Sequence, residues 1–221
     1  MVQPDIIYVK LLLKVNKGNS FGNIAIDKAR FVLLFNECKN RWVESHLKEK
    51  DSILIDSLWE TLKTIELTQG VDKSTYTEFQ IPGDFYEVVN ATCVAERKPC
   101  KREIFLREIK NQDKSILRFD YNLRPDFDWE WSFFTIQSGS INVYKTDFDV
   151  NKVALEYYKV IPDIDIEGYI RLDGTASTNI GIDISEQYVD QIINLAAEEF
   201  MRDFQDAQGL QIAKDRTNSE E

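Results

Sequence analysis

Histidine and cysteine are scarce in this 221-residue chain and basic charge is outnumbered by acidic, and each shortage removes a class of function. His46 is the single histidine, so a multi-histidine metal site cannot form. The same scarcity leaves one residue on which a nucleophilic triad could turn, and no G-x-S-x-G elbow accompanies it. Cys38, Cys93 and Cys100 are odd in number and contain no CxxC; Cys93 and Cys100 could pair across a hairpin, but reduced thiols in a reducing compartment are the expectation. No P-loop and no G-x-G-x-x-G occur, and Gly168, Gly174 and Gly181 are too scattered to cradle phosphate. No apolar run approaches the ~20 residues that span a bilayer. The start, Met1-Val-Gln-Pro-Asp, lacks a basic stretch, Lys10 and Lys14 interrupt the next apolar residues, and no small-residue cleavage site appears. No membrane partner, no cofactor, no metal and no enzymatic activity are therefore expected.

Acidic charge is abundant instead. The net charge is −11, from 27 Lys and Arg against 38 Asp and Glu. Its distribution is uneven: residues 1–50 carry nine basic and five acidic side chains, whereas residues 161–221 carry four and fourteen. Such a surface repels nucleic acid rather than holding it. It serves solubility, and it would also let DNA slide past without adhering.

With 43% hydrophobic and 12% aromatic residues the chain can fill a core. Residues 5–15 predict a short helix, with a strand as the alternative that their periodicity also allows. Phe31, Leu34, Phe35, Cys38 and Trp42 fall on one helical face and predict a helix over about 23–47. Behind an N-cap at Asp51-Ser52, the residues Ile55, Leu58, Trp59, Leu62 and Ile65 predict another, ended by Gly70. From Ser74 the period becomes two. Strands are predicted over 75–81, 85–95, 116–121, 131–136, 141–144 and 152–161, with a glycine turn at 138–140. Asp183 and Glu186 form a variant capping box before the stripe Val189, Ile192, Ile193, Ala196, Ala197, Phe200 and Phe204. The expected fold class is α+β: N-terminal helices and a long C-terminal helix form a helical bundle, with an antiparallel β-sandwich or barrel-like insertion. The expected parts are 1–72 helical, 73–162 antiparallel β, 163–182 an acidic and small-residue loop, 183–207 the closing helix, and 208–221 a flexible tail.

Few clusters carry chemistry. Asp126, Asp128 and Glu130 alternate with Phe127, Trp129 and Trp131, a pattern that fits paired catalytic carboxylates, a calcium site or a sugar platform. A half-buried strand with the three aromatics inward explains the same alternation and is the expectation. Asp163, Asp165 and Glu167 alternate with Ile164 and Ile166 as a metal loop or, as expected, a solvated edge. Arg97, Lys98, Lys101 and Arg102 bracket Pro99 and Cys100 as a hairpin tip and a possible docking point for phosphate or an acidic partner.

In this order the pieces resemble a known family. Ala29-Arg-Phe-Val-Leu-Leu-Phe-Asn36-Glu37, Phe79-Gln-Ile-Pro82-Gly-Asp84-Phe85, Leu155-Glu-Tyr157-Tyr158-Lys-Val-Ile-Pro162 and the pair Ala196-Ala197 are similar to segments of the phage head-to-tail adaptors. These are the tail accessory, or tail-tube A-type, proteins of short-tailed phages. The residue bias fits crAss-like phages. The loop 163–182 is longer than the family pattern. The resemblance implies a structural virion protein at the head–tail junction, assembled in the host cytoplasm, with about a dozen copies in a closed ring. Its implied partners are copies of itself, the portal protein, other tail or ring proteins, and genomic DNA in passage. Lys214 and Arg216 in the tail would reach the portal, so removing 208–221 would leave the fold and weaken docking. A closed ring needs two different complementary patches on each copy, and the basic N-terminal and acidic C-terminal parts are the expected pair. Two other readings stay open: a glycan- or protein-binding β-sandwich using Trp129 and Trp131, and a hydrolase at Asp126 and Asp128.

Overall fold

The computed structural model describes residues 1–17, 25–48 and 56–203. The expectations for Asp51-Ser52, Ile55, Phe204 and the tail 208–221 with Lys214 and Arg216 lie outside those residues. The elements in chain order are α1 (Pro4–Lys17), α2 (Lys28–Lys48), a 3₁₀ turn (Asp56–Thr61), β1 (Leu62–Leu67), β2 (Gly70–Asp72), β3 (Tyr76–Gln80), β4 (Phe85–Arg97), β5 (Cys100–Glu108), α3 (Lys114–Phe119), β6 (Trp131–Gln137), β7 (Ser140–Tyr144), β8 (Asp149–Lys159) and α4 (Glu186–Asp203). They divide into two compact units, Met1–Glu60 with Ile161–Glu221, and Thr61–Val160.

The unit Thr61–Val160 is one eight-stranded sheet in the order β1-β8-β4-β5-β6-β7-β3-β2. Its neighbours pair antiparallel except β5 and β6, which run parallel from Phe105↔Trp131 to Glu108↔Phe134. A parallel pair needs a crossover, and α3 sits in it. The sheet also curls. β1 is at one edge and β2 at the other, yet only Thr68 and Gln69 separate them. A link that short reaches about 10 Å at full extension, so the two edges must approach each other. The curl encloses the core: Phe79, Cys93, Ile104, Leu106, Phe134 and Leu155 belong to one buried cluster, with Ile65 of β1 packed against it. Small side chains on β4 (Ala91, Cys93, Ala95) alternate with exposed or half-buried ones, as a tightly curled strand requires. The β6–β7 hairpin turns through Ser138 and Gly139, both at positive φ (52° and 77°), as a two-residue loop demands.

The unit formed by the chain's two ends has α4 packed on α1 and on α2. Ile7, Leu11, Phe31, Phe35, Ile192, Ile193, Ala196 and Phe200 are among its buried helical residues. Ile164, Ile166, Ile182 and Ile184 are buried with them, although they lie on extended chain. That extended segment supplies part of the interior a bundle would fill with helices.

The expected fold is thus corrected twice. A helical bundle is not formed. The strands make one curled mixed sheet, a half-barrel, rather than an antiparallel sandwich or barrel insertion. Three elements differ with it. Leu62–Leu67 is a strand, not the end of a helix, because Ile65 opposes Leu155 and Leu67 opposes Val153 on β8. Residues 114–119 are helical, not a strand. Closing helix α4 begins at Glu186, beyond the capping residue expected at Asp183.

Candidate functional site

Among the described residues each unit has one gathering of polar side chains that stands out as a candidate site. The first is the end of the curled sheet where the β2–β3, β4–β5 and β7–β8 turns meet residues 125–130. Asp126 builds the last of these. Its Oδ1 accepts the N–H groups of Asp128 (2.8 Å) and Trp129 (3.0 Å), while its backbone bridges to Trp131. Glu130 comes next at φ 53°. The alternating sequence is therefore a turn and not the expected strand. Phe127 is buried, Trp131 is half-buried and donates Nε1–H to the Leu123 carbonyl (3.0 Å), and Trp129 is 84% exposed.

Phe127 is the floor on which the hairpin cations rest. The Arg97 and Arg102 guanidiniums lie 4.6 and 5.3 Å from its ring centre. Arg97 donates to Asp147 (2.8 Å) and Asp128 (2.6 Å), and Arg102 to the Asp128 carbonyl (3.1 Å) and Glu130 (3.3 Å). Lys101 pairs with Glu96 at 3.3 Å. The Asp147 carboxyl is held below the ordinary carboxylate range chiefly by Arg97. Among the described residues Lys98, exposed at the tip, makes no ion pair. The four expected docking cations do lie on one hairpin, but three of them are matched by acids of the same unit. Beside them is an open depression of about 590 Å³, lined by Asp72, Lys73, Glu96, Arg97, Lys145 and Asp149 among others. Lys145 pairs there with Asp72 (2.5 Å) and Asp149 (3.4 Å), and Asp72 is drawn below its ordinary range mainly by Lys145.

Both carboxylates considered for hydrolysis are occupied, Asp126 by backbone N–H groups and Asp128 by Arg97. Among the described residues no three His, Cys, Asp or Glu side chains stand close enough to hold a metal ion. His46 stacks on Trp42 (ring centres 4.0 Å apart) and donates Nδ1–H to that residue's carbonyl within α2. Cys38 and Cys93 are buried and Cys100 is exposed, all as free thiols. Burial pushes the first two thiols up to about 11 and about 12, which leaves them unreactive near neutrality.

The second place is the segment 163–182, a folded arm. Asp165, only 5% exposed, organises it. Its carboxylate accepts the Tyr169 hydroxyl (2.7 Å), Arg171 Nε–H (3.1 Å) and Nη2–H, and the N–H groups of Ile166 (3.0 Å) and Thr178 (2.8 Å). Burial alone would raise this carboxyl. The donors, led by Thr178 N–H, outweigh it and hold the group at about 2. In turn, burial and the adjoining carboxylate push the Tyr169 phenol up to about 12. Backbone bridges Asp165↔Ile180 and Ile170↔Ala176 close the arm on itself.

Helix α2 rivets the base of the arm. Asn36 presents its amide like a neighbouring strand, with Nδ2–H donating to the Ile164 carbonyl (3.0 Å) and Oδ1 accepting the Ile164 N–H (2.9 Å). Lys39, 1% exposed, donates to the Ile161 carbonyl (2.9 Å) and pairs with Asp163 (2.5 Å). Lys28 donates to the Glu167 carbonyl (2.6 Å). The tip is the opposite: Ile170 is 76% exposed and Leu172 fully exposed. Sequence reading placed the acids on a solvated edge and missed the hub. The signal available was Asp165 between two isoleucines, with Tyr169 and Arg171 four and six residues on. The chain matches no protein-family model and no curated protein sequence.

Proposed function

We propose that this chain is a non-enzymatic structural protein, a subunit of an adaptor ring docked beneath the portal at the head-to-tail junction of a short-tailed phage. The observation that carries the assembly part of this reading is the arm. A segment cross-braced through Asp165 and fixed to α2 ends in two large apolar side chains that none of the described residues covers. Exposed leucine and isoleucine on a rigid support gain free energy when another surface buries them, at ~25 cal/mol per Å² of apolar area. Which assembly this is rests on the resemblance of the Asn36-Glu37, Pro82-Asp84 and Tyr157–Pro162 segments to the adaptors. Two further features fit. The sheet's interior is filled by its own side chains, leaving the protein's outer surfaces as the places to act. A net charge of −11 suits a wall past which DNA slides.

Co-expression with the portal protein of the same genome tests the reading, followed by electron microscopy of the purified assemblies. A ring of this protein on one face of the portal is expected. A portal that stays bare at micromolar concentrations of the protein would contradict it.

Trp129 favours a second reading. Its 84% exposure is what a glycan- or protein-binding platform requires. Tryptophan fluorescence across a sugar panel decides: a saturable quench lost in Trp129→Ala supports that reading, and a flat response removes it.

A further inference from the structure

The crossover between β5 and β6 carries a surface that neither the sheet core nor the paired charges at the hairpin tip use. Its residues Ile116, Phe119 and Tyr121 are 69 to 83% exposed. Ile116 and Phe119 share one face of α3, three residues apart. Asp120 fixes the turn after α3, accepting the N–H of Asn122 (2.9 Å) on its side chain and that of Arg124 (3.0 Å) on its carbonyl. Arg118 lies over the Phe119 ring and Arg124 over the Tyr121 ring, 5.6 and 4.7 Å from the centres. The knob is also basic. Residues 107–124 hold five Lys and Arg against three Asp and Glu in a chain that is acidic as a whole. Among the described residues Lys110, Lys114, Arg118 and Arg124 make no ion pair.

The arm has the complementary character. Residues 161–182 hold four Asp and Glu against one Arg, and that Arg171 is spent on Asp165. Glu167 and Asp173 flank the exposed Ile170 and Leu172 with no cation paired to them among the described residues. One chain thus carries two different patches, apolar-basic and apolar-acidic.

We infer that the arm tip of one copy docks on the aromatic knob of the next. Ile170 and Leu172 lie against Phe119 and Tyr121, while Glu167 and Asp173 face the unpaired cations. Two unlike patches on each copy define a head-to-tail contact, the kind that closes into a ring. Aromatic and arginine side chains are also the usual anchors of such contacts. The inference rests on the ring reading and replaces a general attraction between the chain's two ends with two named surfaces.

A cysteine pair tests it. In a Cys100→Ser background, Phe119→Cys and Leu172→Cys are combined, co-expressed with the portal protein of the same genome, and oxidised. Non-reducing gels should show a ladder of linked copies. Either cysteine alone, or Lys98→Cys with Leu172→Cys, should give none. Assemblies with the full complement of subunits but no ladder overturn this interface and leave the ring reading standing. Absence of any ring with the unaltered chain overturns both. Hydrogen exchange on unaltered assemblies gives an independent measure: protection of residues 116–121 and 169–173 relative to the free protein supports the contact, and unchanged exchange at both overturns it.

Discussion

Five N–H and O–H groups converge on the Asp165 carboxylate, and this ties the fold of the arm to pH. The carboxyl titrates at about 2 in the folded chain against 3.8 when free of the arm. Its pKa is depressed on folding, so its contribution is complete above about pH 4 and is lost as pH falls through 2. At neutral pH that contribution is about 2 kcal/mol. Asp165→Asn should lower stability by about that amount at pH 7. In urea titrations the gap to the unaltered protein should close between pH 4 and 2; a gap that stays constant would show that the carboxylate's charge is not what holds the arm. Gly70 makes a separate prediction. A Cβ there would meet the Phe79 ring and the Thr77 methyl at 2.7 Å. Gly70→Ala should therefore destabilise by about 1–3 kcal/mol, the usual range for overpacking. An unchanged denaturation midpoint would mean that β2 does not pack against β3 as described. Neither residue announced itself in the sequence. Asp165 looked like one of several surface acids, and Gly70 like a helix stop. Their roles come from neighbours elsewhere along the chain, Thr178 in one case and Phe79 in the other.

At the scale of elements, periodicity was legible where one face is buried along its whole length. The α4 stripe Val189, Ile192, Ile193, Ala196, Ala197 and Phe200 is buried throughout, and the opposite face carries Glu198 and Glu199 half-exposed. Phe200 is 1% exposed with the Arg30 guanidinium 5.1 Å from its ring centre. Phe200→Ala should cost about 3–5 kcal/mol in chemical denaturation. A near-neutral result would place this helix face outside the core. The pattern misled where apolar residues serve no core. Ile116 and Phe119 stand among polar residues whose alternation suggests a strand, but both are exposed, so no sheet selects that period and a short helix forms. Similarly, Asp126 converts the alternation Phe127, Trp129, Trp131 into a turn by capturing two backbone N–H groups. Leu58, Leu62 and Ile65 stand at helical spacing, yet Ile65 and Leu67 also satisfy period two. The open edge of β8 decided between them.

At the scale of the whole molecule the sequence order of helices, strands and a final helix was legible, and its architecture was not. Nothing local in residues 100–137 marks β5 and β6 as parallel, and nothing in Thr68-Gln69 says that it joins opposite edges of one sheet. Those are consequences of pairing between distant segments. The candidate site divides the same way. Arg97, Lys98, Lys101 and Arg102 were legible as a hairpin tip, whereas the pairing of three of them with Glu96, Asp128, Glu130 and Asp147 needed the fold. Neither the basic aromatic knob nor the acidic apolar arm tip takes part in those pairs. The proposed adaptor ring would use both.

The most direct test is quantitative peptide mass spectrometry on purified virions of the phage proposed to encode this chain, with the portal protein as internal standard. The account predicts about one copy for each portal subunit, as stacked rings of matching symmetry require. Absence of the chain from the mature particle would contradict it.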